Sequence, residues 1–153
     1  MLLCPTTRTQ LLRLLPQGGE VAEIGVANGD FSQDILTEAR PRRLHLIDPW
    51  EHHDRTDYAK DLNNVSASEQ DARFNAVLAR FRAQIDGGIV KVHRDYAEDA
   101  AIFFGSGQLD WIYVDGMHTG DAAYNDLVTY GPKIRDDGFI VGHDYTNHIQ
   151  AQL

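Results

Sequence analysis

Three observations predict an α/β domain built on a doubly wound, Rossmann-like parallel sheet. Short apolar runs of strand length alternate with helical patterns along the chain, the order that builds parallel sheets from βαβ units. The first run, Val21-Ala22-Glu23-Ile24, passes directly into a glycine turn, Gly25-Val26-Ala27-Asn28-Gly29, and then into a helix. Later runs end in Asp48, Asp115 and His143-Asp144, so polar groups collect at one edge of the sheet, where open α/β sheets hold their ligands.

The chain has 153 residues, 42% of them hydrophobic. That suits one globular domain over residues 1–153 with one core. A net charge of −9, with lysine only at Lys60, Lys91 and Lys133, argues against nucleic acid as a partner, since a phosphate backbone calls for a basic surface. The single Cys4 cannot close an intramolecular disulfide, which fits a reducing, cytoplasmic setting. No stretch is long and apolar enough to predict a membrane span.

The elements follow in order. Leu11, Leu12, Leu14 and Leu15 give an apolar side to a helix from Thr6 to Leu15, ended by Pro16 and Gly18-Gly19; its expected role is to flank the sheet. The helix after the glycine turn runs from about Phe31 to Ala39, with Asp30 or Ser32 as its cap, and Pro41 ends it. Leu44 to Asp48 is the second strand, and His45 within it reads as structural. Pro49 to Ser68 breaks the pattern with Trp50, His52, His53, Asp54, Asp57 and Tyr58. Connections of that length tend to be functional or mobile. Adjacent histidines rarely aim at one ion, so His52 and His53 read as exposed.

Ser66 and Glu69 form a capping-box pattern for a helix running to about Ile85. Phe74, Val77, Leu78, Phe81 and Ile85 share its core face, and Gly87-Gly88 stops it. Ile89 to His93 is the third strand. Asp95 and Tyr96 at its end could meet an adenine with a carboxylate acceptor and a ring face. Glu98 to Phe104 is a short helix, Leu109 to Asp115 the fourth strand, and Asp121 to Thr129 a helix; Phe139 to Gly142 is the fifth strand.

The glycine turn narrows the ligand. Dinucleotide sites use G-x-G-x-x-G, which places a pyrophosphate on the helix N-terminus; here the middle glycine is missing. Asp30 at the helix entrance and Glu23 before the turn add negative charge that repels phosphate. Gly25 and Gly29 would let backbone approach a ligand with no Cβ in the way. A cationic ligand without phosphate fits, and S-adenosylmethionine, with a sulfonium and an ammonium, is one. Asp48 lies roughly 20 residues past the turn, the spacing at which an acid meets ribose hydroxyls.

These segments resemble class I S-adenosylmethionine-dependent methyltransferases. Glu23-Ile24-Gly25-Val26-Ala27-Asn28-Gly29 is similar to their first motif and Leu46-Ile47-Asp48-Pro49-Trp50 to their second. Asp110 to His118 and Gly138 to Tyr145 resemble a subgroup of small-molecule O-methyltransferases related to the macrocin and catechol enzymes. The resemblance implies strand order 3-2-1-4-5. It assigns cofactor binding to Glu23, Gly25, Ala27, Asn28, Gly29, Asp48, Asp95, Tyr96 and Asp115. In the metal-dependent members, acids after the fourth and fifth strands bind magnesium. Asp115 and Asp144 match that pattern, whereas His143 puts an imidazole where a carboxylate is expected. The candidate metal set is therefore Asp115, His143 and Asp144, for magnesium, manganese or zinc.

The expected reaction is methyl transfer to a hydroxyl of a small-molecule substrate. The base candidates are His118, whose imidazole titrates near working pH, and His143. The family's sheet has two further strands that this sequence lacks, so the chain is expected to be a fragment, or to be covered along the fifth strand by a partner such as a second copy. Two other readings are a nicotinamide-dependent oxidoreductase and a cofactor-binding domain without turnover.

Overall fold

The computed structural model describes residues 7–54, 62–116 and 120–142. Five parallel strands form one sheet: β1 (Glu20–Ile24), β2 (Arg43–Ile47), β3 (Val90–His93), β4 (Leu109–Val114) and β5 (Ile134–Gly142), in the order β3-β2-β1-β4-β5. This is the doubly wound order expected from the sequence. The central strand β1 is buried along its whole length. Its carboxyl end stands level with those of its neighbours, because Ile24 pairs with Ile47 on one side and with Val114 on the other. Asp48 and Asp115 therefore emerge beside the glycine turn, on one edge of the sheet.

A core lies on each face, as expected for strands buried on both sides. One face holds α1 (Arg8–Leu12), α2 (Asp30–Glu38), α3 (Ala67–Arg80) and α4 (Arg82–Asp86). There Leu12, Ile35, Val77, Phe81 and Trp111 pack together. The other face carries α5 (Ala97–Ala100) with a 3₁₀ turn at Ala101–Phe103, and α6 (Gly120–Tyr130) with a 3₁₀ turn at Gly131–Lys133. Ala22, Ile47, Phe104, Ile112 and Tyr130 pack beneath them.

Several boundaries differ from the sequence reading, each for a local reason. The capping box of Ser66 and Glu69 forms as expected, but the helix it opens breaks at Phe81, which leaves helical geometry to enter the core. The strand β5 begins at Ile134 rather than Phe139 and carries an irregularity opposite Leu109 to Trp111. Arg135 there pairs with Asp110, and a Cβ on Gly138 would lie 2.6 Å from the Asp110 carbonyl oxygen. The N-cap of α2 is Gly29, at φ 75°, with no side-chain cap. Neither Asp30 nor Ser32 caps it: Asp30 lies inside the helix, and the Ser32 hydroxyl is spent on Glu23. The apolar side of the first helix reaches the core through Leu12 and Leu15, while Leu14 is exposed.

His45 is structural, as read. Its Nε2 faces Glu20 Oε1 at 3.1 Å and its Nδ1 faces His93 Nε2 at 3.0 Å, forming a buried chain across β1, β2 and β3. Burial holds both imidazoles below the usual histidine range, with His93 lowered to about 4. No helix among the described residues is long and apolar enough to cross a membrane.

Candidate active site

The glycine turn is held from beneath by Asp48. Its Oδ2 accepts from the backbone N–H groups of Val26 and Ala27, each at 2.9 Å, and its Oδ1 accepts from Trp50 N–H at 2.7 Å. The Trp50 indole N–H in turn donates to the Ala27 carbonyl at 2.9 Å. This lock explains two non-glycine residues with positive φ, Ala27 at 48° and Trp50 at 43°, a conformation that needs outside support. A carboxylate offers about four lone-pair sites, so Asp48 retains room for about one more donor. It cannot grip both ribose hydroxyls alone.

The two turn glycines serve packing, and Gly25 also lines the cavity described next. A Cβ on Gly25, at φ 85°, would lie 2.1 Å from the Asp115 carbonyl oxygen. On Gly29 it would lie 2.8 Å from the Phe81 ring. Gly25 lets the β1 and β4 ends approach each other, and Gly29 seats α2 against α3. Gly29 does not line the cavity described next.

Above the turn is a cavity of about 680 Å³. Its walls come from the carboxyl ends of β1, β2, β3 and β4 and from α6. Of the predicted cofactor residues, Glu23, Gly25, Ala27, Asn28, Asp48, Asp95, Tyr96 and Asp115 all line it. His53 lines it as well, its ring tilted 52° to that of Tyr96 at 6.0 Å between centroids; of the adjacent histidines only His52 is exposed. Trp50 is buried rather than a loop residue in solvent.

The charges are less uniform than the residue types suggested. Glu23 is 1% exposed and accepts a 2.5 Å hydrogen bond from the Ser32 hydroxyl. Burial, reinforced by Asp115 and Asp48 nearby, pushes its carboxyl up to about 8. Near neutral pH it is therefore mostly protonated, and a cation settling beside it would favour the anion. Asp30 also lines the cavity and pairs with Arg80, 2.6 Å away, which answers part of its charge.

His118, His143 and Asp144 lie outside the described residues. Among the described residues no group of three His, Cys, Asp or Glu is placed to hold a metal ion. Asp115, the described member of the candidate metal set, faces the Arg8 guanidinium at 3.5 Å.

Three residues were not read from the sequence. Arg8 on α1 reaches the cavity across the Phe31 ring. Glu51 lines it and accepts from the Tyr96 hydroxyl at 2.8 Å, placing a second acid near the nucleoside end. Asp126 on α6 also lines it, and burial, with Glu98 adding repulsion, raises its carboxyl to about 6. Arg8 and Asp126 belong to helices read only as packing elements, and no sequence signal marked them.

The family described as "Methyltransferase domain" matches residues 22–145. No curated protein sequence matches the chain. Solved structures share its fold at low identity. A Corynebacterium glutamicum protein aligns with a TM-score of 0.60 and 18% identity, over 94% of this chain and 60% of that one. Geranyl diphosphate methyltransferase in complex with SAM aligns at 0.60 and 12%, over 88% and 47%. A Staphylococcus aureus protein assigned as a caffeoyl-CoA O-methyltransferase aligns at 0.59 and 14%, over 88% and 54%. The chain thus spans between 47% and 60% of the length of these proteins.

Proposed function

The chain belongs to the methyltransferase-domain family, and from that premise we propose that it transfers a methyl group from S-adenosylmethionine to a hydroxyl oxygen of a small molecule. The observation that carries the cofactor is the fate of the turn's N–H groups. In a dinucleotide site such groups meet a pyrophosphate. Here those of Val26 and Ala27 are bonded to Asp48, so a pyrophosphate would find a carboxylate in place of donors. A sulfonium and an ammonium meet the opposite situation, with Asp48, Asp115 and an ionisable Glu23 around them. The oxygen acceptor has support from the likeness to the Staphylococcus aureus protein.

When bound, the cofactor supplies an electrophilic methyl carbon that the hydroxyl oxygen takes by in-line displacement, the S–C electron pair staying on sulfur. The protein's task is alignment. Tyr96 and Asp95 take the adenine end. Asp48, with one acceptor site left, shares the ribose with Glu51. The hydroxyl proton needs a base. His118 is one candidate; Asp126, with a carboxyl near 6, is mostly ionised at neutral pH and lies in the cavity wall. No step is assigned to a metal.

Calorimetry with S-adenosylhomocysteine and with NADH tests the reading. Binding of the first and not the second is expected. The reverse result would replace methyl transfer by hydride transfer. Binding of S-adenosylhomocysteine without turnover of any hydroxyl acceptor would leave a cofactor-binding domain.

A further inference from the structure

Carboxylates surround the cavity, and among the described residues Arg8 is the one Arg or Lys in its lining. Its place is fixed from several directions. Thr7 and Gln10 close a capping box over the start of α1. The Thr9 hydroxyl donates to Asp34 on α2 at 2.9 Å, and Leu12 is fully buried beneath. The guanidinium lies over the Phe31 ring, 4.8 Å from its centroid, and Asp115 stands 3.5 Å away. Tight charge-assisted pairs close to about 2.7–2.9 Å, so this pair is loose. The Arg8 side chain is 41% exposed and Asp115 18%, so the contact is reached by solvent from the Arg8 side, which weakens it.

We propose that Arg8 and Asp115 together form a clamp for an α-amino acid head group, Arg8 taking the carboxylate and Asp115 the ammonium. The inference rests on the cofactor reading above and adds a residue to it. An amino acid head carries both charges on one carbon. Its ammonium has several acids to choose from in this cavity. Its carboxylate has one cationic side chain in the described lining, Arg8, whose planar fork can hold both carboxylate oxygens. Inserting the zwitterion opens the loose Arg8–Asp115 contact and sets an opposite charge beside each of the two side chains. A bland role for Arg8, pinning α1 to the sheet, predicts no preference among ligands.

Two probes that differ only in the carboxylate separate these roles: S-adenosylhomocysteine and its decarboxylated form, both measured by calorimetry. Wild-type protein is expected to prefer the first. Arg8→Gln is expected to weaken S-adenosylhomocysteine roughly 10- to 100-fold, the range for losing hydrogen bonds to a charged group, and to leave the decarboxylated form within about twofold. Arg8→Lys keeps the charge without the fork and should fall between. Arg13→Gln breaks the exposed contact of Arg13 with Glu38 and should leave both affinities unchanged. Equal losses for both probes in Arg8→Gln, or no loss for S-adenosylhomocysteine, would overturn the clamp while the cofactor reading stands. If Arg8→Gln does not fold, a wild-type protein indifferent to the carboxylate, with Arg8→Lys equally indifferent, overturns it as well. Wild-type protein that binds neither probe overturns the cofactor reading and the clamp with it.

Discussion

Replacing Asp48 with Ala removes the acceptor of three backbone N–H groups at once: Val26 and Ala27 at 2.9 Å and Trp50 at 2.7 Å. A hydrogen bond to a charged group contributes about 1.5–3 kcal/mol net, so simple addition gives roughly 4.5–9 kcal/mol. The expected loss is smaller for two reasons. The bonds share one carboxylate and are not independent. Burial raises the Asp48 carboxyl above its usual value, so desolvation already offsets part of the gain. Water can also reach the truncated site through the cavity. A loss of about 2–4 kcal/mol is expected, which lowers Tm by roughly 4–16 °C for a domain of this size. Urea unfolding of the unliganded protein measures it, with the midpoint falling and the slope unchanged. Asp48→Asn should fall between Ala and wild type, because its amide oxygen can still accept from Val26 and Ala27 while its amide nitrogen sets a donor against the Trp50 N–H. If unliganded stability stays within about 0.5 kcal/mol of wild type while nucleoside affinity falls, the carboxylate serves the ligand and the lock described here is wrong.

Stability should fall on both sides of a mid-range pH. His93, lowered by burial to about 4, disfavours the folded state as pH drops from about 6.5 toward that value, because the unfolded chain binds the proton first. Glu23, raised by burial to about 8, has the opposite sign: its contribution is complete below about 4.5 and is lost as pH rises through 8. Glu23→Gln should flatten the alkaline limb of a urea-midpoint profile and leave the acid limb in place; an unchanged alkaline limb would remove the protonated Glu23. Gly25→Ala should unfold the protein or cost more than about 3 kcal/mol, since its Cβ would sit 2.1 Å from the Asp115 carbonyl oxygen; Gly18→Ala, also at positive φ but with nothing within 4 Å, should cost about 1 kcal/mol. Equal melts for the two variants would mean that only their backbone angles matter. Stripping the protein with chelator is expected to leave S-adenosylhomocysteine affinity unchanged, because among the described residues no group of three His, Cys, Asp or Glu is placed to hold a metal ion; a loss restored by magnesium, manganese or zinc would place one there.

The sheet was legible because its signals are local and redundant. Val21 to Ile24, Leu44 to Ile47 and Leu109 to Val114 are runs of strand length, apolar but for Glu23, His45 and Asp110, as suits strands buried on both faces, and the second and third end at Asp48 and Asp115, which the register brings to one edge. The errors fall where a distant residue overrides a local pattern. Phe81 breaks a helix whose periodicity continues past it, since the core claims its ring. The strand β5 extends backward through Asp136, Asp137 and Gly138, a turn-like sequence, because pairing of Arg135 with Asp110 holds the strand in place. No window of sequence contains both partners of such a contact.

The site was legible by position and less so by charge. Reading Glu23 and Asp30 as negative charge around the turn led to a cationic ligand, and the structure answers most of the acids there individually. Asp30 is answered by Arg80, and Asp48 by three N–H groups. Glu23 holds a proton until a cation displaces it, and Asp115 is loosely held by Arg8. A count of acids therefore overstates the field in the empty cavity. On the function proposed above, a cation would be favoured by Glu23, which can ionise beside it, and by Asp115 in the cavity wall, while the lock on Asp48 engages the N–H groups of Val26 and Ala27 that a phosphate would need. Arg8 completes the argument from the other sign: a ligand that is only cationic would waste it, and one with a carboxylate beside its ammonium would not. The residues that distinguish these cases lie on α1 and on the turn, 107 positions from Asp115 in the case of Arg8, and only the fold brings them together.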